Sequence, residues 1–371
     1  MQKNLVGLRG YLAIWIFISH LTMVESYDAG FGSKVDWGFL FTFIRYDFIA
    51  VDIFFFLSGY LLYGHYRITF EDTSKKYIDE KFYILRLARL YPIHILTLII
   101  IWLYEMYGIP HPVRSGLEDT IFENWEITLF LNLSLITSWG IVPVSSWNEP
   151  AWSISAIFLT YLMFPNLVLL LKKLQETKTC IILLLSLVLI QYIGYLYIEG
   201  ISGTDGVGAI MRVLANFISG CITMKIADNI DLSKFKWEKI FLSSSILFVI
   251  AIYIQFHFIE YLHYSLLCIF FPFLILSLAN SQRNIEKVFT NKPVLFLGSI
   301  SYAIYMMHYP VLLGLKHLAS DSLYVLIGDS FILPYIFMLF ATIILVLIAY
   351  IVTKYVEYPI YKRIRKKIKF D

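Results

Sequence analysis

Arg9 and His20 are the residues in this sequence whose types and spacing point most directly to chemistry. They bracket an apolar run, and eleven steps of about 100° bring a helix back to nearly the same face. Both side chains therefore point one way, roughly 16 Å apart at about 1.5 Å per residue. A guanidinium is a permanent cation that grips anionic oxygens in pairs. A neutral imidazole accepts a proton from an attacking group. A charged group and a titratable one, aligned along one hydrophobic helix, need a reason to be there. Ionisable groups at that depth in an apolar segment are expensive and mark function by default.

The elements that must position them read as membrane. Of 371 residues, 59% are hydrophobic and only 15% charged, with mean hydropathy +0.71. Soluble domains carry about 25% charged residues. The deficit runs the length of the chain, so 1–371 is expected to be one membrane-embedded domain without an appended soluble module. Aromatics reach 18%, which suits interfacial belts. Hydropathy predicts spans near 7–24, 40–66, 87–107, 150–171, 179–198, 207–226, 239–257, 261–279, 295–316 and 331–355, each about the length a bilayer requires. Segment 126–147 is apolar but broken by Asn132, Ser134, Ser138, Gly140 and Pro143. It is expected to be a short or re-entrant helix. The fold class is thus an all-α polytopic membrane protein of about ten spans plus this short element.

Charge sets the expected orientation. With ten spans the basic segments 67–86, 172–178, 225–239 and 283–292, and the tail Lys362-Arg363-Ile364-Arg365-Lys366-Lys367, fall on one side; the acidic loop 105–126 falls on the other. The positive-inside rule places both termini in the cytoplasm. No small-x-small cleavage pattern follows the first span, which is expected to stay as a signal anchor. Cys180, Cys221 and Cys268 lie in apolar runs without metal-ligand spacing, so neither a disulfide nor a metal site is expected. Nothing in the charge pattern points to nucleic acid.

Six segments carry a resemblance. They are Gly7-Leu8-Arg9-Gly10 through His20; Val51-Asp52-Ile53-Phe54-Phe55-Phe56-Leu57-Ser58-Gly59-Tyr60; Arg86-Leu87-Ala88-Arg89-Leu90-Tyr91-Pro92; Trp152-Ser153-Ile154-Ser155 through Phe164-Pro165; Leu297-Gly298-Ser299-Ile300-Ser301-Tyr302 with Tyr305, His308 and Pro310; and Val356-Glu357-Tyr358-Pro359. In this order they resemble the acyltransferase 3 family of integral membrane, acyl-CoA-dependent O-acyltransferases. The resemblance implies that Arg9 and His20 take part in acyl transfer, with acetyl-CoA as donor. It implies a hydroxyl of a cell-surface polysaccharide or lipid-linked glycan as acceptor, in a bacterial cytoplasmic membrane. A fixed guanidinium would hold donor phosphate; His20 would act as general base or as a transient acyl carrier.

Asp52 lies mid-span, where an ionised carboxylate costs about 2.5–3.5 kcal/mol, and joins the catalytic candidates. Its expected partners are Arg45 or Arg9, or a hydrogen bond that orients His20. Arg86 and Arg89 share a helix face and, with Lys81, form a candidate phosphate clamp. Arg212, inside a predicted span beside Asn216, needs an anion from protein or ligand and is added to the donor-binding set. Trp152 is a candidate sugar platform. Ser301, Tyr305 and His308 share a stripe and either line an acceptor cavity or join helices by hydrogen bonds. Glu357 is expected to pair with Lys362 or Arg363. Many family members carry a glutamate where this chain has Ile157, and Glu149 is a conceivable substitute. A rival reading is a glycan or lipid translocator whose polar residues line a pathway. Neither the acceptor sugar nor the oligomeric state is written in the sequence.

Overall fold

The computed structural model describes residues 2–24, 43–44, 46–71, 78–107, 125–141, 147–197, 206–258, 264–318, 330 and 332–368. Among them there is no strand. In chain order the helices are α1 (Lys3–Val24), α2 (Phe48–Glu71), α3 (Ile78–Met106), α4 (Trp125–Leu133), α5 (Ala151–Lys172), α6 (Thr177–Tyr197), α7 (Gly206–Asn229), α8 (Trp237–Phe258), α9 (Phe271–Asn280), α10 (Arg283–Thr290), α11 (Lys292–Ser299), α12 (Ser301–Leu318), α13 (Leu333–Val352) and α14 (Tyr358–Lys367). Eight helices are long and apolar enough to cross a membrane, and up to ten spans result if each of two bent pairs counts as one. Ser265–Asn280 lies on the expected span 261–279 and breaks by 95° before Asn284–Thr290, which falls in the expected basic segment 283–292; Lys292–Ser299 and Ser301–His317, on the expected span 295–316, are bent by 69°. The second break falls at Ile300, whose φ −106° and ψ 9° lie outside helical values. Segment 126–147 begins with the nine-residue α4, far too short for an eleventh span. Arg45, the acidic residues Glu118, Asp119 and Glu123, and Pro143 lie outside the described residues.

Two close crossings fix the helices that carry the site. Between α2 and α7, a Cβ built on Gly59 would stand 1.9 Å from the Phe217 carbonyl oxygen, and one on Gly220 would stand 2.0 Å from that of Phe56. Between α1 and the bend, a Cβ on Gly10 would stand 2.8 Å from the Gly298 nitrogen, and one on Gly298 would stand 1.9 Å from the Val6 carbonyl oxygen. Backbone meets backbone at both, which is how helices associate where lipid supplies no hydrophobic drive. A core of Phe56, Phe82, Phe164, Phe217 and Phe271 fills the interior. Ile246, Leu247 and Ile250 of α8 and Leu339, Phe340, Ile343 and Leu347 of α13 are exposed, as lipid-facing surfaces require and water-facing ones seldom allow.

Candidate active site

A cavity of about 370 Å³ opens between α1, α2, α3, α5, α12 and α14. At one end its wall carries three guanidiniums, those of Arg9, Arg86 and Arg89, together with Tyr361. The rest of the lining is uncharged: Ser58, Ser153, Ser301, Tyr161, Tyr302 and Tyr305 stand among an apolar majority that includes Val51, Phe54, Phe55, Leu61, Ile154 and Ile157. Arg9 makes no hydrogen bond or ion pair with another described residue, although Arg89 and Glu357 act on it electrostatically. Arg89 meets the buried Glu357 at 3.7 Å. Arg86 lies 5.6 Å from the ring centroids of both Tyr66 and Phe82, and its Nη2 donates to the Tyr66 hydroxyl at 3.3 Å. Its buried Nε has no partner. Three fixed positive charges therefore share one cavity end with a single carboxylate, and a low-dielectric wall leaves that surplus poorly screened.

Helix geometry explains how the uncharged part is organised. Ser301, Tyr302 and Tyr305 occupy the first turns of α12, just past the break at Ile300, and all three line the cavity. Tyr302 donates to the Leu90 carbonyl at 2.6 Å, and Tyr305 to that of Pro150 at 3.3 Å. The buried Ser301 hydroxyl has no partner. Ser58 and Tyr161 lie 3.3 Å apart across the wall.

His20 lies off this wall, at the far end of α1. Its ring stacks on that of His308, with centroids 4.9 Å apart and an interplanar angle of 5°. His20 Nε2 is 3.5 Å from Asp47 Oδ2, and its buried Nδ1 has no partner. His308 is buried, and its Nδ1 bonds the Tyr305 carbonyl; in the tautomer that donates there, Nε2 keeps its lone pair. The Tyr305 and His308 rings are 5.7 Å apart. His20 thus meets α12 through His308, whereas Arg9 lines the cavity together with Ser301 and Tyr302. Asp47 precedes α2 by one residue; burial pushes its carboxyl above the ordinary range, against the pull of His20, Ser19 and Arg212.

Several expected partnerships are corrected. Asp52 pairs neither with Arg9 nor with His20. Its Oδ1 accepts from Arg212 Nε at 2.7 Å, and both side chains are almost fully buried. Arg212 also donates to the Phe48 carbonyl at 2.8 Å and lies 5.3 Å from the Trp152 ring centroid. Its charge is matched inside the protein, away from the cavity wall, so Arg212 is removed from the donor-binding set. Trp152 is buried between Arg212 and Phe55 and offers no free face to a sugar. The acid beside His20 is Asp47, and Glu357 pairs with Arg89, not with Lys362 or Arg363. Ile157 stands on the cavity wall, so the family's glutamate at that position would enter this cavity; Glu149 is exposed. Asp47, Tyr302 and Tyr361 were not among the expected site residues. An acid within the expected span 40–66, five residues before Asp52, was the available signal for Asp47. Among the described residues no group of three or more His, Cys, Asp or Glu is placed to hold a metal ion.

The chain is 25% identical over 292 residues to the peptidoglycan O-acetyltransferase OatA of Listeria monocytogenes, covering 73% of this chain and 46% of that protein. It is 24% identical over 378 residues to the O-acetyltransferase OatA of Staphylococcus aureus, covering 97% and 57%. The acyltransferase MdmB of Streptomyces mycarofaciens is 28% identical over 165 residues, covering 44% and 38%. The chain spans about half the length of the curated relatives it matches. No solved structure matches it. A family model described as an acyltransferase domain matches residues 3–353, and the chain belongs to that acyltransferase 3 family.

Proposed function

We propose that this protein is a membrane O-acetyltransferase that moves the acetyl group of acetyl-CoA to a hydroxyl of a cell-envelope glycan. The observation that carries the reading is the surplus of guanidinium charge on the wall of a cavity whose remainder is uncharged and largely apolar. A polyanionic head with a long uncharged arm fits that division. Arg9, Arg86 and Arg89 would hold the diphosphate, each charge-assisted bond being about twice as strong as a neutral one. The arm would lie along Ser58, Ser301 and Tyr305 toward the paired imidazoles.

At that point His20 takes the proton of the acceptor hydroxyl as its oxygen attacks the thioester carbonyl. The new C–O bond forms, the C–S bond breaks, and the coenzyme thiolate leaves and recovers the proton. Asp47 steadies the imidazolium formed in between. Basic loops on one side favour cytoplasmic termini, a cytoplasmic donor and a bacterial cytoplasmic-membrane location. The glycan acceptor follows the relatives, two of which are named O-acetyltransferases, one of them for peptidoglycan.

The test is purified protein in liposomes with radiolabelled acetyl-CoA and a glycan acceptor. Transfer with release of free thiol is expected, and His20→Gln should lower kcat by about 10²–10⁴-fold, the usual worth of a general base. Acceptor movement that needs no coenzyme and survives His20→Gln would overturn the reading in favour of a translocator.

A further inference from the structure

Helix α14 has a role that the transfer reaction as described does not use. It follows a π turn, Thr353–Glu357, and such wide turns recur at functional sites. On one side of the turn Glu357 reaches Arg89; on the other, Tyr361 reaches the cavity wall beside Arg9, Arg86 and Arg89. The remainder of α14 is two-faced. Tyr361 and Ile364 are half-buried, whereas Lys362, Arg363, Arg365, Lys366 and Lys367 are exposed. No acidic side chain lies within the helix.

The continuous helical stretch Leu333–Lys367 runs 35 residues, or roughly 52 Å at 1.5 Å per residue, against about 30 Å of hydrocarbon. Its basic end therefore stands beyond the lipid tails, at the guanidinium end of the cavity. Arg365, four residues after Tyr361, continues the side of the helix that reaches the mouth.

We propose that α14 is the binding surface for the nucleotide end of the donor, with Tyr361 against the purine and Lys362 and Arg365 on the ribose 3′-phosphate. This rests on the acetyl-CoA reading above. That reading assigns the diphosphate to Arg9, Arg86 and Arg89 and leaves the donor's second anionic group without a protein partner. Coenzyme A carries its 3′-phosphate on the ribose, outward of the diphosphate. A rim of cations just outside a cationic cavity end has the matching order of charge. An anionic lipid headgroup offers the same phosphate chemistry; the order of charges from cavity to rim favours the nucleotide.

The test compares three donors on the full chain in liposomes: acetyl-CoA, acetyl-3′-dephospho-CoA and S-acetyl-pantetheine. For the unmodified protein, removing the 3′-phosphate should raise KM about tenfold with little change in kcat. In the double variant Lys362→Gln/Arg365→Gln the two nucleotide donors should become equivalent, while turnover of S-acetyl-pantetheine stays unchanged and reports that the protein is folded. Equal KM for both nucleotide donors in the unmodified protein overturns the proposal without any variant. So does a variant defect that is identical for all three donors, or one that follows the anionic lipid content of the vesicles. Failure of the unmodified protein to turn over any of the three donors would instead sink the acetyl-CoA reading itself.

Discussion

Arg212 and the trio Arg9, Arg86 and Arg89 occupy one helix bundle, yet the protein treats them in opposite ways. Arg212 is locked by a carboxylate at 2.7 Å, a backbone carbonyl at 2.8 Å and the face of Trp152. The trio shares one carboxylate at 3.7 Å, and Arg9 has no bonded partner among the described residues. A buried charge whose every need is met by the chain holds helices together. Charges left in surplus on a cavity wall are waiting for a ligand. Sequence makes all four look alike; only the partners separate them.

The contrast is broken most severely at Arg212. Arg212→Ala should strip Asp52 of its partner and cost about 3–5 kcal/mol, the penalty for half of a buried ion pair. Loss of the folded protein on size exclusion, or a large fall in Tm in detergent, would register it. The double variant Arg212→Met/Asp52→Asn should recover most of that loss, because no lone charge remains. If Arg212→Ala folds normally and merely raises the donor KM, the division between the two regions is wrong.

Arg9→Gln should do the reverse. It is expected to leave Tm nearly unchanged and to reduce kcat/KM for acetyl-CoA by about 10–100-fold, corresponding to roughly 1.5–3 kcal/mol for a hydrogen bond to a charged group. A smaller effect sharpens the comparison. Glu357→Gln removes the carboxylate that competes for Arg89 and should lower the donor KM by about two- to fivefold, under about 1 kcal/mol. On the Arg212 side, Trp152→Leu removes the ring beneath Arg212 at a cost of about 0.5–1 kcal/mol in stability. Its donor KM should stay constant.

Local spacing was enough to foresee much of this. Arg9 and His20 both belong to one uninterrupted helix, Lys3–Val24, as their apolar spacing predicts. Arg86 and Arg89, three apart on one helix, reach the same cavity. The eight straight spans and the shortness of α4 follow from runs of apolar residues and their interruptions. What local pattern does not encode is which distant side chain answers a charge. Asp52 and Arg212 are 160 positions apart, and their pairing is decided by the glycine crossing of α2 and α7. The bend at Ile300 was equally hidden, since Ser299-Ile300-Ser301 continues an apolar run without a proline or glycine at the break. Asp47 is equally hidden, since its partner His20 lies on α1, 27 positions away.

The seam at Gly7, Gly10 and Gly298 has a mechanical corollary. Phe289 and Val6 carbonyls sit where side chains would otherwise stand, so α1 can neither roll nor slide without prising two peptide planes apart. The ruler on which Arg9 and His20 are mounted is therefore stiff. Reactants have to travel to it, and any yielding during turnover belongs to the loosely embraced outer helices α8 and α13.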